Sequence, residues 1–312
     1  MALLQQNLQD LYLDTALPWI EYIIEEEYEM YPKISQMLFN IRDMKYGIAQ
    51  HAQVSSLTAA AQVGEGEELP QDRVYQGFST TFKSKKYGIL LATSQEVIDH
   101  EKYDSLSKNP KKMGRAVATT CEIVASSVFN NAFTAAGSDG QPLCSQSHPL
   151  LSPGAQTIDG SGLGKNLLAV AEDLSATALK DTLTLMRQTV DSSGNNIMLQ
   201  PKRLVVPPAL EFIAWEILHS AYLPDTPNNN LSSVGPESNY RIDPVVWNYL
   251  TDPTAFFLMT DNVEHDLYFF WDKQPEVKSQ MEFKTDVALS RILTRFTVGY
   301  SDWRGIVGTP GV

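Results

Sequence analysis

Hydrophobic positions recur most regularly between Asn109 and Ala136. Met113, Val117, Cys121, Val124, Val128 and Ala132 follow one another at steps of three or four, which is one stripe of an amphipathic helix over about 110–136. Ala116, Ile123, Phe129 and Phe133 widen its apolar side. Asn109 suits an N-cap and Pro110 the first turn, where a missing N–H costs nothing. Gly137 and the Ser138-Asp139-Gly140 turn end the pattern. At 1.5 Å per residue the helix spans roughly 40 Å. Lys111, Lys112 and Arg115 fall in its first turns, against the macrodipole's preference, which predicts an anionic partner elsewhere.

Around this spine the period changes. Leu4, Leu8 and Leu11 predict a short helix stopped by Pro18. Tyr75, Phe78, Thr80 and Phe82, then Tyr87, Ile89 and Leu91, read as strand residues on either side of the polar turn Gly64–Asp72. The stretch predicts one long hairpin, each arm up to about 60 Å if fully extended. Two strands alone are marginal in water, so it must lie against something. Thr93-Ser94-Gln95-Glu96 signals a capping box for a short helix through Asp104. Leu179, Leu183, Met186 and Val190 mark another helix, and Leu204–Val206 a buried strand. Pro207-Pro208 opens a helix carrying Leu210, Ile213, Ile217 and Leu218. Residues 222–240 read as an exposed polar loop. Strands are expected at Val245–Tyr249, Ala255–Met259, Leu267–Trp271, Glu276–Leu289 and Arg291–Trp303. The order indicates an α+β fold with two subdomains and no internal repeat.

Composition narrows the class. Over 312 residues, 43% hydrophobic and 20% charged content describes a globular chain with a real core. No apolar run is long enough to span a membrane, and Met1-Ala-Leu-Leu-Gln-Gln lacks a secretory signal pattern. Cys121 and Cys144 form no redox or metal motif, which suits a reducing cytosol. A net charge of −13 argues against nucleic acid held on a broad basic surface. The charge is segregated: residues 1–72 carry −9, residues 73–115 carry +5, and the remainder −9. Segments of opposite sign either meet, within or between chains, or are solvated faces. The contact candidates are Glu21, Glu25, Glu26, Glu27, Glu29, Glu65, Glu67 and Glu68 against Arg73, Lys83, Lys85, Lys86, Lys111, Lys112 and Arg115.

Candidate chemistry changes the picture little. The acids of 21–29 interleave with Trp19, Tyr22, Ile23, Ile24 and Tyr28, a surface-lying pattern with no pocket around the carboxylates. Cys144 and His148 are spaced like half a zinc site without its other ligands, so a structural loop is expected. Gly160–Lys165 lacks the spacing of a phosphate loop, and Asn166 replaces its Ser/Thr. His51, His100, His148, His219 and His265 stand in no Ser/Cys–His–acid order. No catalytic residue, cofactor site or metal site is expected. A hydrolase is the contrasting alternative.

The order of parts resembles the major capsid proteins of tailed bacteriophages with the Hong Kong 97 fold, particularly the Mu-like major head subunit type. It rests on Tyr31-Pro32, Gly64-Glu65-Gly66 at a hairpin tip, and Tyr87-Gly88 through Thr93–Glu96 to Asp99. The long helix, Asp139-Gly140 with Leu143, His148-Pro149, Leu204–Pro208 and Gly299–Gly305 complete it. The resemblance implies an N-terminal arm (1–50), an extended loop (51–92), a peripheral domain (93–190 and 275–312) with the spine helix, and an axial domain (191–274). It implies self-assembly in pentamers and hexamers into an icosahedral head enclosing double-stranded DNA without sequence-specific binding. The expected location is the virion, after assembly in the bacterial cytoplasm. A separate scaffolding protein, a portal and a decoration protein are the expected partners, with no membrane. A nanocompartment shell of the same fold is the alternative.

Overall fold

Helix α1 covers residues 18–30 and α2 Ile34–Leu38; the spine helix, α3, runs Asp104–Asn130, and α4 and α5 are Ala176–Arg187 and Glu211–His219. The computed structural model describes residues 18–94, 104–151, 157, 161–220, 222, 232–236, 240–282, 284–285 and 287–312. The helix expected at Leu4–Leu11, the capping-box helix and most of the 222–240 loop lie outside those residues.

The spine starts earlier than the stripe predicts, and Pro110 is inside it rather than in its first turn. A proline there forfeits a backbone bond and costs about 3 kcal/mol. Burial of Pro110 and continuous packing of Met113 and Val117 offset that cost. Lys111, Lys112 and Arg115 therefore lie beyond the first turn, where the macrodipole penalty has faded. At the other end the helix stops at Asn130, six residues short of expectation. The Asn130 amide donates to the Tyr249 carbonyl at 3.0 Å, and its oxygen accepts from Thr251 N at 3.0 Å. Beyond it, Ala132 N bonds Phe129 O and Thr134 N bonds Asn131 O, tightening the chain into turns. Met113, Val117, Cys121, Phe129 and Ala132 are buried as the stripe predicts; Ala118, Glu122 and Ala125 are buried besides, whereas Val124 and Val128 are partly exposed and Ile123 is exposed.

The main sheet has the order β1-β10-β11-β4, with β1 Asn40–Asp43, β4 Lys85–Ser94, β10 Leu267–Glu282 and β11 Val287–Tyr300. The three strands expected over 267–303 are thus two, with a turn at 284–285, because β10 keeps its pairing with β11 across bulges near Lys273. The predicted hairpin also divides. Its ribbon is β2 (Ile48–Val54) against β3 (Gln76–Lys83), in the register Ile48↔Lys83. Tyr87, Ile89 and Leu91 belong to β4, which pairs with β11 instead. Alternation gives the period of a strand but not its partner.

A second sheet, β12-β9-β7-β8, consists of β12 Ile306–Thr309, β9 Phe256–Met259, β7 Arg203–Val206 and β8 Asp243–Val246. A small pair, β5 His148–Pro149 and β6 Leu163–Gly164, stands apart. One core joins α3 to both sheets through Phe39, Phe129, Trp247, Phe257, Trp271, Phe296 and Trp303. A second lies under α4 and α5 and includes Val234, 2% exposed. Gly235 abuts the Ser220 carbonyl there, and Ser232, Val234 and Gly235 are buried, with Ser233 exposed, so this part of the stretch is tied to the core. One buried valine anchors a stretch whose polar composition hides it.

Helix α1 packs on α3 and the main sheet through Ile20, Ile24, Met113, Val117, Val277 and Ile292. The two helices cross at Gly114, where an added Cβ would stand 2.6 Å from the Ile24 carbonyl oxygen. Only glycine permits that approach.

Candidate assembly surfaces

The ribbon stands on the main sheet through Phe82, buried with Met44, Tyr268 and Phe270. Between its strands, residues 57–75 form no strand, and all but Val63 are exposed. Leu69 is 77% exposed, and Leu57 and Val74 58% each. The root of this loop is fixed in its own chain. Ser56 N donates to Ser192 Oγ at 2.5 Å, and Ser193 Oγ donates to Ser56 O at 2.7 Å. Thr58 donates to Asp72 through both its N–H and hydroxyl, closing the loop's base. At the tip Glu67 accepts from Gly64 N, leaving Glu65, Glu67 and Glu68 in solvent.

The predicted contact residues fall in different places. Glu27 accepts from Arg115 of the same chain at 2.5 Å, so the acidic arm and the basic spine meet there internally. Glu21 accepts from Ser279 N on β10 at 2.6 Å. Glu25, Glu26 and Glu29 face solvent on α1. Arg73, Lys83, Lys85, Lys86, Lys111 and Lys112 are exposed as well. Composition blocks missed Lys278, Arg291 and Arg295, which face outward from the main sheet in a segment of net negative charge. The signal was present in the alternation of Arg291, Leu293 and Arg295 with Ile292, Thr294 and Phe296.

Two buried polar clusters hold these surfaces in position, and neither was read from the sequence. Glu122 on α3 is 1% exposed and accepts from Ser35 N at 3.1 Å, Ser35 Oγ at 2.6 Å and Trp247 Nε1 at 2.9 Å. Desolvation pushes its carboxyl above the usual range, while these donors pull the other way. The Tyr31 and Tyr249 hydroxyls meet at 3.0 Å, a second tie between the segment after α1 and the second sheet. Burial also pushes the Cys121 thiol up to about 12.

The second cluster occupies the Cys144–His148 loop. Asn166 donates through Nδ2 to the carbonyls of Leu143 at 2.7 Å and Ile306 at 3.0 Å, and its oxygen accepts from Ser145 N at 2.8 Å. That fixes the amide, so His148 Nε2, 3.1 Å from the same oxygen, is the donor. His148 Nδ1 lies 2.6 Å from an Asp139 carboxylate oxygen, and the ring stacks on Trp303 at 4.4 Å. Both ring nitrogens are engaged by side chains, so the histidine pins the post-spine loop to the chain's closing segment.

His265 is 2% exposed; its Nδ1 accepts from Leu267 N at 3.3 Å, and burial, aided by Arg203, lowers its pKa to about 4. A neutral histidine in the fold stabilises above its unfolded value of 6.5, and that contribution is lost as pH falls through about 4. The gap corresponds to about 3 kcal/mol. His265→Asn retains an acceptor two residues before the Leu267 N–H and removes the titration. Denaturant melts between pH 7 and 4 are expected to lose less stability in the variant than in the wild type; parallel curves would refute the assignment.

Residues 77–308 match the family described as phage capsid protein. Comparison with curated proteins gives no match. Among solved structures, the chain resembles one from Microbacterium phage Oxtober96 at a TM-score of 0.56 and 10% identity, over 89% of this chain and 91% of that one. It resembles a chain from the procapsid of bacteriophage JBD30 at 0.54 and 11% identity, over 97% and 75% of the two chains. A virus-like particle from Pyrococcus furiosus matches at 0.52 and 7% identity, over 95% and 99%.

Proposed function

The chain belongs to the phage capsid protein family, and from that premise we propose that many copies, as pentamers and hexamers, close into an icosahedral head around double-stranded DNA. The subunit is of the Mu-like major head type and acts without catalysis. The divisions at 1–50, 51–92, 93–190 with 275–312, and 191–274 serve as arm, extended loop, peripheral domain and axial domain, except that Lys85–Ser94 belongs to the main sheet and not to the loop, and β10 runs unbroken across the last boundary. A separate scaffolding protein, a portal and a decoration protein complete the particle, which is assembled in the bacterial cytoplasm.

The observation that carries this reading is the loop of 57–75, rooted by Ser192 and Ser193 yet exposed along nearly its whole length. A subunit meant to act alone has no use for a projecting arm with bare leucines and valine. The purified chain, with its scaffold co-expressed, is expected to form closed shells in electron micrographs. A stable compact monomer under those conditions would overturn the proposal. Shells from infected cells that hold protein cargo and no nucleic acid would overturn its DNA component.

Exposed pairs are worth at most about 1 kcal/mol each, but a shell repeats them at every contact. Reversing Lys83, Lys85 and Lys86 to glutamate together is therefore expected to block assembly while leaving the melting curve of the subunit unchanged. Raising salt is expected to slow wild-type assembly, because separated charges are screened beyond about 8 Å at physiological ionic strength. Normal shells from the triple variant, with no salt response, would reduce these lysines to solvated positions.

A further inference from the structure

Both chain connections between the ribbon and the main sheet, residues 44–47 and Ser84, lie at the same end of β2 and β3. Tyr46 and Gly47 have positive φ, +62° and +70°, so the chain turns sharply there. Ser84 N donates to Gly47 O at 2.9 Å and Ser84 Oγ to Asp272 at 3.1 Å, which ties the two crossings together. A few element-terminal residues set side by side are the geometry of a hinge. Next to it, a box of rings holds the ribbon down. The ring of His51 on β2 enters this box, its centre 4.6 Å from Tyr268, 5.6 Å from Phe270 and 6.1 Å from Phe82. Few charged or titratable groups face it. Arg42 of β1 holds its guanidinium 4.6 Å from the centre of the same Tyr268 ring. Tyr268 donates its hydroxyl to Asp266 at 2.8 Å, and Asp266 also accepts from Ser301 Oγ at 3.2 Å, so that carboxylate is already engaged. From β3 come Phe82 and, opposite His51, Thr80, neither of them charged. A neutral imidazole suits such a box. An imidazolium would lose water among the rings and share Tyr268 with a second cation.

We propose that His51 is a proton-operated latch of the ribbon, closed while its ring is neutral and opened by acid, which frees the ribbon to swing about residues 44–47 and Ser84. The latch works within one chain and is independent of the shell reading. Burial first, and then Arg42, lower the pKa of His51 from 6.5, against a smaller pull from Asp266. Once the ribbon lifts, the ring meets water and regains its ordinary value. The neutral ring therefore favours the closed ribbon above 6.5, and that preference is lost as pH falls through the lowered, closed-state value. Further along, Gln53 Nε2 donates to Ser301 O at 2.5 Å, and Ser56 bonds Ser192 and Ser193. Amide and hydroxyl groups do not titrate in this range, so these ties set the resting position of the ribbon and not its response to acid.

The test is hydrogen exchange of the unassembled full-length chain, read as protection factors at pH 7 and pH 5. In the wild type, residues 48–54 and 76–83 are expected to lose protection several-fold more than the spine helix on acidification. His51→Phe keeps a ring in the box and cannot titrate, so it is expected to abolish that difference. His51→Gln guards against misfit of the larger ring: lower protection at both pH values is expected, with no difference between them. Arg42→Gln is expected to shrink the acid loss without abolishing it, because His51 then returns towards its ordinary value. An Arg42 that only packs on Tyr268 would leave the acid loss unchanged. A wild-type ribbon equally protected at both pH values would overturn the proposal. So would an equal acid loss in the wild type and both His51 variants. A loss shared in full by the spine helix would also overturn it, in favour of general acid softening. None of these outcomes bears on the shell reading, which closed-shell formation tests separately.

Discussion

Gly305→Ala is expected to cost about 2–5 kcal/mol, a large part of the 5–15 kcal/mol that holds a typical domain together. Gly305 has φ +83°, where a side chain costs roughly 1–2 kcal/mol. Its environment adds to that. A Cβ there would stand 2.8 Å from His265 Cβ, 2.8 Å from Thr260 Oγ1 and 2.9 Å from the Glu264 carbonyl oxygen. The backbone cannot move aside cheaply, because Gly305 O accepts from Thr260 N at 3.0 Å and Ile306 begins the pairing of β12 with β9. Overpacking of this kind typically costs a further 1–3 kcal/mol. Gly140 is the control: its φ is +80°, yet nothing lies within 4 Å of an added Cβ. Gly140→Ala is expected to lose only the backbone share, so denaturant melts of the two variants should separate clearly. Equal midpoints would mean that conformation alone, and not the packing against Thr260 and His265, fixes the glycine.

Replacing Glu122 is expected to be the most damaging change on the spine helix. Glu122→Met keeps a similar volume but leaves Ser35 N, Ser35 Oγ and Trp247 Nε1 facing an apolar side chain. Each orphaned buried donor costs about 1–3 kcal/mol, offset in part by no longer desolvating a carboxylate, for a net loss of about 3 kcal/mol. Ser35→Ala is expected to cost less, and the double variant less than the sum of the two, since they share one set of bonds. The pH response provides a separate reading. Desolvation raises the folded-state value of Glu122 above its unfolded 4.5. Its contribution is therefore fully present below 4.5 and lost as pH rises through the folded value. That is the reverse of His265. Glu122→Gln is expected to remove this component, leaving the acid loss due to His265 steeper than in the wild type. If Glu122→Gln and wild type follow parallel pH curves, the carboxyl does not titrate differently on folding.

The same two residues show where local sequence stops being informative. Glu122 reads as one more acid on a helix, one position from the predicted stripe. It is a junction only because the first turn of α2 and the residue after β8 arrive on the same side of α3. His148 reads as half a metal site, and becomes a pin because Asn166 and Trp303, distant in sequence, close around it. In each case spacing along the chain was the wrong coordinate.

By itself the sequence determined the period of most elements and hence the α+β class, the spine helix, three strands of the second sheet (β7, β8 and β9, but not β12) and the projecting polar tip. Those features follow from which side chains must leave water, and a helix or strand presents them at a fixed repeat. The tertiary structure alone decided the partners. It assigned Tyr87–Leu91 to the main sheet, extended the spine through Pro110, drew Val234 into the core, and closed Glu27 onto Arg115. It also assembled Lys86, Lys273, Lys278, Arg291 and Arg295 into one face from segments whose summed charges have opposite signs. The physical reason is the same throughout. Periodicity is set by backbone geometry within one element, whereas pairing, burial of a lone valine and convergence of charge depend on contacts between different elements, some far apart in the chain, such as Lys86 and Arg295.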